Sequence, residues 1–371
     1  MRRSLAFLAL AMLLAVGTVL PAQTSGWEVK NRFTAQGALY GDTYLPDGSL
    51  DLIWKPELFG EYSRGQKLRL SADVIIDNRL KLLFAGYDSA QNLNFKLYRA
   101  WGAVTWGQTE FKCGLQHIRM GPAQLLRHLM WFDRLVPGAL LQETEGVKAL
   151  TLSHFFLNPE LRLWAMPGIG RTKGSEFLPS RQGSWEFGGR LGVQNPLGET
   201  GISGHRREAE DPLSGNSAVE YRVGIDHRYD GVIGAWLEAS ANHLENQLIS
   251  MGSDYPENSV STTLGGDYTF GVGNGLYLLA EQNVRFSGPT SLSYEEAQYQ
   301  TALLLSYPLN LLDGLQLLAF YDIDKERGLA TLAWRRTYDY LSWEVSVSLD
   351  SGYPTALSSA PSLNIVINYD L

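Results

Sequence analysis

The chain has 371 residues and one cysteine, Cys113. A single thiol excludes an internal disulfide and any thiolate metal cluster. The six histidines are His117, His128, His154, His205, His227 and His243. None stands in a His-x-x-x-His spacing, so metal catalysis has no ligand pair to start from. Nucleophile elbows of the Gly-Ser-Gly type are absent. The glycine-rich stretch "FGVGNGLY" lacks the Lys-Ser/Thr of a phosphate loop and reads as a hairpin turn. A Ser–His–carboxylate set gathered from separate strands stays open as a weaker alternative. Beyond residue 22 no run approaches the ~18 consecutive apolar residues that a membrane-spanning helix requires. Charge is also sparse, at 19% of residues.

The N-terminus carries what those absences leave room for. "MRR" is followed by the apolar run "SLAFLALAMLLAVGTVL" and then "PAQ". This order matches the n-region, h-region and small-residue site of a secretory signal peptide, with cleavage expected after Ala22. An uncleaved membrane anchor is the rival reading. A secreted soluble protein and a transmembrane β-barrel then remain. The 38 glycines and 11% aromatics suit a barrel, where glycine serves curvature and turns and aromatics form interfacial girdles. The net charge is −8.

Periodicity goes further. In "SWEVSVSLD", Trp343, Val345, Val347 and Leu349 alternate with Ser342, Glu344, Ser346 and Ser348. In "AVEYRVGIDHRYD", Val219, Tyr221, Val223 and Ile225 alternate with Glu220, Arg222, Asp226 and Arg228. "KLRLSADVI" sets Leu68, Leu70, Ala72 and Val74 against Lys67, Arg69, Ser71 and Asp73. A period of two puts each set on one face of a strand. Ionisable groups on the second face need water or partners. In a sandwich that face is the exterior; in a wide barrel it is the lumen, and the apolar face meets lipid.

The connections separate these cases. About eighteen strand candidates of ~10 residues can be drawn, the length a tilted membrane strand requires. Sixteen is the alternative count, because the stretches around 160–167 and 199–207 are the weakest. Short turns such as "RGQ", "GQT", "LNPE" and "DG" alternate with long stretches such as "DTYLPDGS", "NRLKLLFAGYDSAQ", residues 168–183 and "ENQLISMGSDYPEN". Short periplasmic turns opposite long extracellular loops mark an outer-membrane barrel. The expected fold is therefore all-β: one antiparallel transmembrane barrel over residues 23–371, with no separate soluble domain.

The longest loop expected is the third, at about residues 120–145, inside "GLQHIRMGPAQLLRHLMWFDRLVPGAL". A barrel of sixteen to eighteen strands leaves a water-filled lumen. A loop folded inward would narrow it. The stretch "AQLLRHLMWF" after Pro122 is expected to form a short helix, with Leu125, Leu129 and Phe132 on the wall. Arg119, Arg127, His128, Asp133 and Arg134 are the candidates for a polar constriction, Asp133 pairing with a neighbouring arginine. Charged groups at a narrow point set pore selectivity. A loop that only caps the outer rim is the plainer reading.

The block "FKCGLQHIRMG", then "FDRLVP", then "ETEGVKALTL", resembles porin-like outer-membrane barrels of Gram-negative bacteria, including the alginate-export group. The matching residues are Gly114, Gln116, Ile118, Gly121, Asp133, Pro137, Gly146, Val147 and Ala149, within residues 111–152. The resemblance implies a porin-like barrel in the bacterial outer membrane.

Strand parity assigns Lys67, Arg69, Glu220, Arg222, Asp226, Arg228, Glu281, Arg285 and Glu344 to the lumen. Lys30, Arg32, Lys112, Arg162, Arg190, Asp73, Glu186 and Glu238 share that face. Long basic side chains outnumber acids in this set, although such charges often only brace a barrel through ion pairs. The expected function is passive diffusion of small polar or anionic solutes, with no enzymatic activity, cofactor or metal. A structural or adhesive barrel, or an outer-membrane hydrolase, are the alternatives. The expected partners are outer-membrane lipid, the barrel-assembly machinery and the solutes themselves, with no nucleic acid.

Overall fold

The computed structural model describes residues 25–41, 48–65, 67–85, 88–133, 146–174, 176–245, 256–288, 296–351 and 361–371. The signal-peptide stretch lies outside them. Eighteen strands follow one another: β1 (Ser25–Tyr40), β2 (Gly48–Arg64), β3 (Leu68–Ala85), β4 (Asp88–Trp106), β5 (Thr109–Gln116), β6 (Val147–Phe155), β7 (Glu160–Pro167), β8 (Trp185–Asn195) and β9 (Gly198–Glu210). The second half holds β10 (Ser217–Asp230), β11 (Gly234–Leu244), β12 (Asn258–Phe270), β13 (Leu276–Gly288), β14 (Glu296–Pro308), β15 (Asp313–Asp322), β16 (Arg327–Thr337), β17 (Leu341–Asp350) and β18 (Ser362–Asp370). The two weakest sequence segments are both strands, β7 and β9, which fixes the count at eighteen.

Each strand pairs antiparallel with its chain neighbours, and β1 also pairs with β18, from Leu39↔Leu363 to Arg32↔Asp370. The sheet is thereby closed, and every strand has a neighbour on both sides. In hydrocarbon no water satisfies a free N–H or C=O, so closure is the condition for spanning with strands.

Burial is inverted relative to a soluble sandwich. On β10, Tyr221, Val223 and Ile225 are 42%, 57% and 48% exposed, while Arg222 and Asp226 are each 3% exposed. In a water-soluble fold the apolar set would be the buried one. Here the polar set faces inward and the apolar set outward, as a lipid-facing wall requires.

The connections alternate by end. Turns at 65–67, 107–108, 156–159, 196–197, 231–233, 271–275, 309–312 and 338–340 share one end with the start of β1 and the end of β18. The strand ends that flank 41–47, 86–87, 117–146, 168–184, 211–216, 245–257, 289–295, 323–326 and 351–361 lie at the other. One expected long loop is a correction. "NRLKLLFAGYDSAQ" is not a loop: β3 runs to Ala85 and β4 starts at Asp88. The reason is visible in the residues, since Leu80 and Leu82 still alternate with Arg79 and Lys81. A register shift at Ile75/Ile76 bends this hairpin.

The inverted wall predicts a depth-dependent response to charge. Val223 lies mid-strand and Leu349 near the loop end of β17; both face outward. Val223→Arg should cost about 2–4 kcal/mol, whereas Leu349→Arg should cost about 0–1 kcal/mol. Equilibrium unfolding in lipid vesicles measures both. Equal costs would contradict the lipid-facing assignment.

Candidate functional site

The segment after β5 turns into the barrel. Gln116 closes the strand by donating to the Ala149 carbonyl (2.9 Å) and accepting from Thr151 Oγ1 (3.1 Å). Ile118, Met120, Leu129, Trp131 and Phe132 then pack with Val147 and Ala149 of β6 and Trp164 and Met166 of β7. The strand register places those four wall residues on the same face as Gln116, Thr151 and Glu186, which is the inner one. Further on, Ala123 packs with Trp236 and Leu279. Leu126 packs with Ala302, Phe320 and Leu329, and Leu125 lies between these clusters. Residues 117–133 thus lie against the inner wall from β6 round to β16. Leu125, Leu129 and Phe132 meet that wall as expected from their apolarity.

The expected helix does not form; residues 122–133 are a series of bends. Side chains of the wall take the segment's peptide groups. Glu238 of β11 accepts the peptide N–H groups of Ala123 (3.2 Å) and Leu129 (2.5 Å). Glu281 of β13 accepts those of Gln124 (2.7 Å), Leu125 (3.0 Å) and Leu126 (2.5 Å), and the Trp236 indole N–H (3.0 Å). Thr263 Oγ1 donates to the Leu126 carbonyl at 2.8 Å. A helix over 123–132 would leave the N–H groups of Ala123 to Leu126 free in its first turn, but it would need Leu129 N–H and the Leu126 carbonyl for its own bonds, and these are taken by Glu238 and Thr263 instead. Two glycines allow the close approach. Gly121 has φ 77°, and a Cβ there would stand 2.1 Å from Glu238 Oε2. A Cβ on Gly224 would stand 2.2 Å from Leu129 Cδ2.

The constriction candidates separate. Arg119 is exposed, and Arg127 is half-buried with a buried Nε that has no hydrogen-bond partner. Burial lowers the Arg127 guanidinium from its ordinary value; Glu238 opposes this and the nearby Arg119 adds to it. His128 is pushed down to about 4 by burial, then by Arg285, against a hydrogen bond with Asn283. It is therefore uncharged at neutral pH. Asp133 is buried, and its Oδ1 lies 3.4 Å from His117 Nδ1 rather than against an arginine. Arg134 lies outside the described residues.

The lumen candidates fall mostly into ion pairs. Arg69 pairs with Glu61 (3.2 Å), Arg228 with Asp230 (2.8 Å) and Glu344 with Arg335 (2.6 Å). Asp226 takes two hydrogen bonds from Arg190. Glu220 binds Arg222 (2.8 Å) and Arg207. Arg285 stacks on the Phe177 ring, 4.9 Å from its centroid. Lys67 sits in the turn between β2 and β3, at the barrel end rather than on its wall.

A second inward segment escaped sequence reasoning. Residues 168–184 connect β7 and β8 and bend back over the inner wall. Lys173 donates to Ser180 and Glu186, each at 2.5 Å. Glu176 reaches Arg207 (3.2 Å) and Arg222 (3.6 Å), and burial pushes its carboxyl up against the pull of those cations. A Cβ on Gly174 would meet the Trp131 carbonyl at 2.4 Å, so the two inward segments touch. Ser180 has no accessible surface, so its lysine contact braces the loop rather than offering a nucleophile. No local periodicity in "GIGRTKGSEFLPS" signals this placement.

The remaining inner wall, from β16 through β18 and β1 to β4, lines a cavity of about 980 Å³. Its lining includes Lys30, Arg32, Lys55, Glu57, Tyr98, Arg99, Arg335 and Asp370. Lys55 stands 4.5 Å over the Tyr98 ring and 3.6 Å from Asp77. Arg99 pairs with Asp73 (3.2 Å) and Arg32 with Asp370 (2.6 Å). Lys55, Tyr98, Arg99 and Arg335 were not among the sequence candidates. For Lys55 the signal was present in "IWKPELF", where Ile53, Lys55 and Glu57 share a face. For Arg99 it was masked by the register shift opposite Ile75/Ile76.

No family model and no curated sequence matches the chain. Solved structures do. Pseudomonas aeruginosa OccK5 (OpdH) aligns with TM-score 0.59 at 10% identity, over 94% of this chain and 98% of that one. Pseudomonas aeruginosa OccD3 (OpdP) aligns with TM-score 0.56 at 9% identity, over 96% and 95%. Salmonella typhi OmpF, in complex with daunomycin, aligns with TM-score 0.51 at 10% identity, over 94% and 98%. At such identities the likeness is one of fold, and the narrower resemblance to alginate-export barrels has no support beyond its residue block. The chain has the closed-barrel fold of Gram-negative outer-membrane porins.

Proposed function

We propose that this protein is an outer-membrane channel for passive diffusion of small polar or anionic solutes, narrowed by the inward segment after β5. The observation that carries the reading is the division of the lumen. Residues 117–133 occupy the inner wall from β6 to β16, while the half lined by β16–β18 and β1–β4 holds the 980 Å³ cavity. A solute then passes between the loop and that open half.

Charge at the passage is uneven, and the unevenness supports an anion preference. On the open wall, Lys55, Arg99, Arg335 and Arg32 each sit against a carboxylate. Such pairs present little net charge to a solute. Among the described residues, neither Arg119 nor Arg127 makes a salt bridge. Fixed cations at a narrow, partly desolvated point bias permeation toward anions, because bulk screening there is incomplete. His128 adds no charge to this bias while neutral.

Deleting residues 123–134 tests the reading. Conductance in planar bilayers should rise roughly twofold or more and ion selectivity should weaken. Heat-modifiable migration confirms that the barrel has closed. Unchanged conductance in a closed barrel would make the segment a cap. Lipid hydrolysis without conductance steps would favour the hydrolase alternative.

The charge argument predicts a division of labour. The pair Arg119→Gln and Arg127→Gln should move the reversal potential in a salt gradient toward zero. His128→Asn should leave it unchanged. Because His128 protonates only near pH 4, it should contribute no step to selectivity between about pH 5.5 and 8, where an ordinary histidine titrates. A step near pH 6.5 that His128→Asn abolishes would contradict its burial.

A further inference from the structure

The inward segment closes on itself around two glutamate side chains that belong to the wall. Glu281 is the more completely used. Its Oε1 accepts from the Gln124 peptide and the Trp236 indole, and its Oε2 from the Leu125 and Leu126 peptides. An ionised carboxylate is an acceptor only, with about four lone-pair sites. Every one of them is filled. Three successive peptide N–H groups converging on one anion form the concave receptor that elsewhere binds phosphate or carboxylate ligands. Here the ligand is supplied in cis, 155 to 157 positions along the chain. Glu238 does the same for Ala123 and Leu129, the two ends of the same bend.

We propose that Glu281, seconded by Glu238, is the positioning residue of the channel: a fixed anion seated in a receptor made by the loop's own peptides, which sets how far the loop stands into the lumen. The assignment rests on the reading of this loop as the narrow point. The chemistry has a specific consequence. Removing the carboxylate while keeping the loop leaves a vacant receptor for a small external carboxylate. A glutamine keeps the shape but turns one oxygen into an NH2 that faces donors, so it both breaks the contact and blocks the external anion.

The test uses the full-length protein with Glu281→Ala and Glu281→Gln, each checked for barrel closure by heat-modifiable migration. Trypsin cleavage after Arg127, followed by mass spectrometry, reads the loop; bilayer current reads the pore. In the wild type the Arg127 bond should resist. In Glu281→Ala it should be cut at least roughly tenfold faster, as local opening exposes it, with noisier current. Replacing chloride by formate at equal ionic strength should slow cleavage and quiet the current in Glu281→Ala. It should not do so in Glu281→Gln, and the wild type provides the correction for formate conduction itself. A Glu281→Ala chain that closes only in formate would support the same receptor, and Glu281→Gln then carries the remaining readouts. Cleavage as slow as wild type in a closed Glu281→Ala barrel would overturn the proposal. So would fast cleavage that formate leaves unchanged. Formate-reversible cleavage with unaltered current would uphold the positioning role and instead overturn the loop as constriction.

Discussion

The closure of β1 onto β18 is the contact on which the rest depends. Without it, two strands would carry a row of unsatisfied peptide groups into hydrocarbon, where each is expensive. Closure needs no particular side chain at the seam, and the seam residues are ordinary: Leu39 opposite Leu363, Ala35 opposite Ile367. What it demands is alternation, because each strand now has one face toward lipid and one toward an enclosed volume. The consequence is a protein with charges inside and apolar groups outside. Arg207, Glu220, Arg222 and Glu176 form one connected group of buried ions. In an apolar core such a group would be poorly compensated. Inside a barrel, each member finds several partners across neighbouring strands.

An enclosed volume lined by charge also changes how a loop folds within it. A helix satisfies its own peptides and is favoured where surroundings offer none. The inner wall offers carboxylates at fixed positions, and the chain between Gly121 and Leu129 uses them. The segment is held at its apex by Glu238 and Glu281 and at its base by the cluster around Trp131, Phe132 and Trp164. The neighbouring segment at 168–184 then supports it from behind through Gly174. Apolar packing runs along the segment from the β6–β7 side onward, and hydrogen bonding is added on the β11–β13 side, which gives the bend a defined shape without regular structure.

Much of this was legible in the sequence, for a reason specific to barrels. Alternation is a local property, and the inside–outside assignment follows from it residue by residue; Arg222 and Asp226 against Val223 and Ile225 is an instance. The strand count was legible where turns carried glycine or asparagine, and harder around β7 and β9. The hairpin of β3 and β4 was misread because Gly86 and the polar run "DSAQNLN" resemble a loop, although Leu93, Phe95 and Leu97 continue the alternation beyond it. The state of the inward segment was not legible. Its helix-like apolar spacing is real, but the groups that hold its peptides, Glu238 and Glu281, lie more than a hundred residues away. Each is a single glutamate on an otherwise mild strand, "GAWLEASANHL" and "LYLLAEQNVRFSG". Nothing local distinguishes a carboxylate that will receive peptides from one that will receive an arginine.

The same distinction bears on charge. The chain is acidic overall, with a formal charge of −8, and its inner wall carries both signs in quantity. Neither figure says what a passing solute feels. A cation paired at 3 Å presents a small dipole, and beyond about 8–10 Å salt screens what remains. The field inside the barrel is therefore weighted toward the charges that are not held in such pairs. Glu238 and Glu281 accept peptide N–H groups, and among the described residues the two arginines carried by the loop they hold make no salt bridge. If either carboxylate were instead to reach Arg127, the loop would lose peptide contacts as the arginine's charge became paired. For a channel narrowed by this segment, as proposed, loop position and charge preference would be two consequences of the same hydrogen bonds.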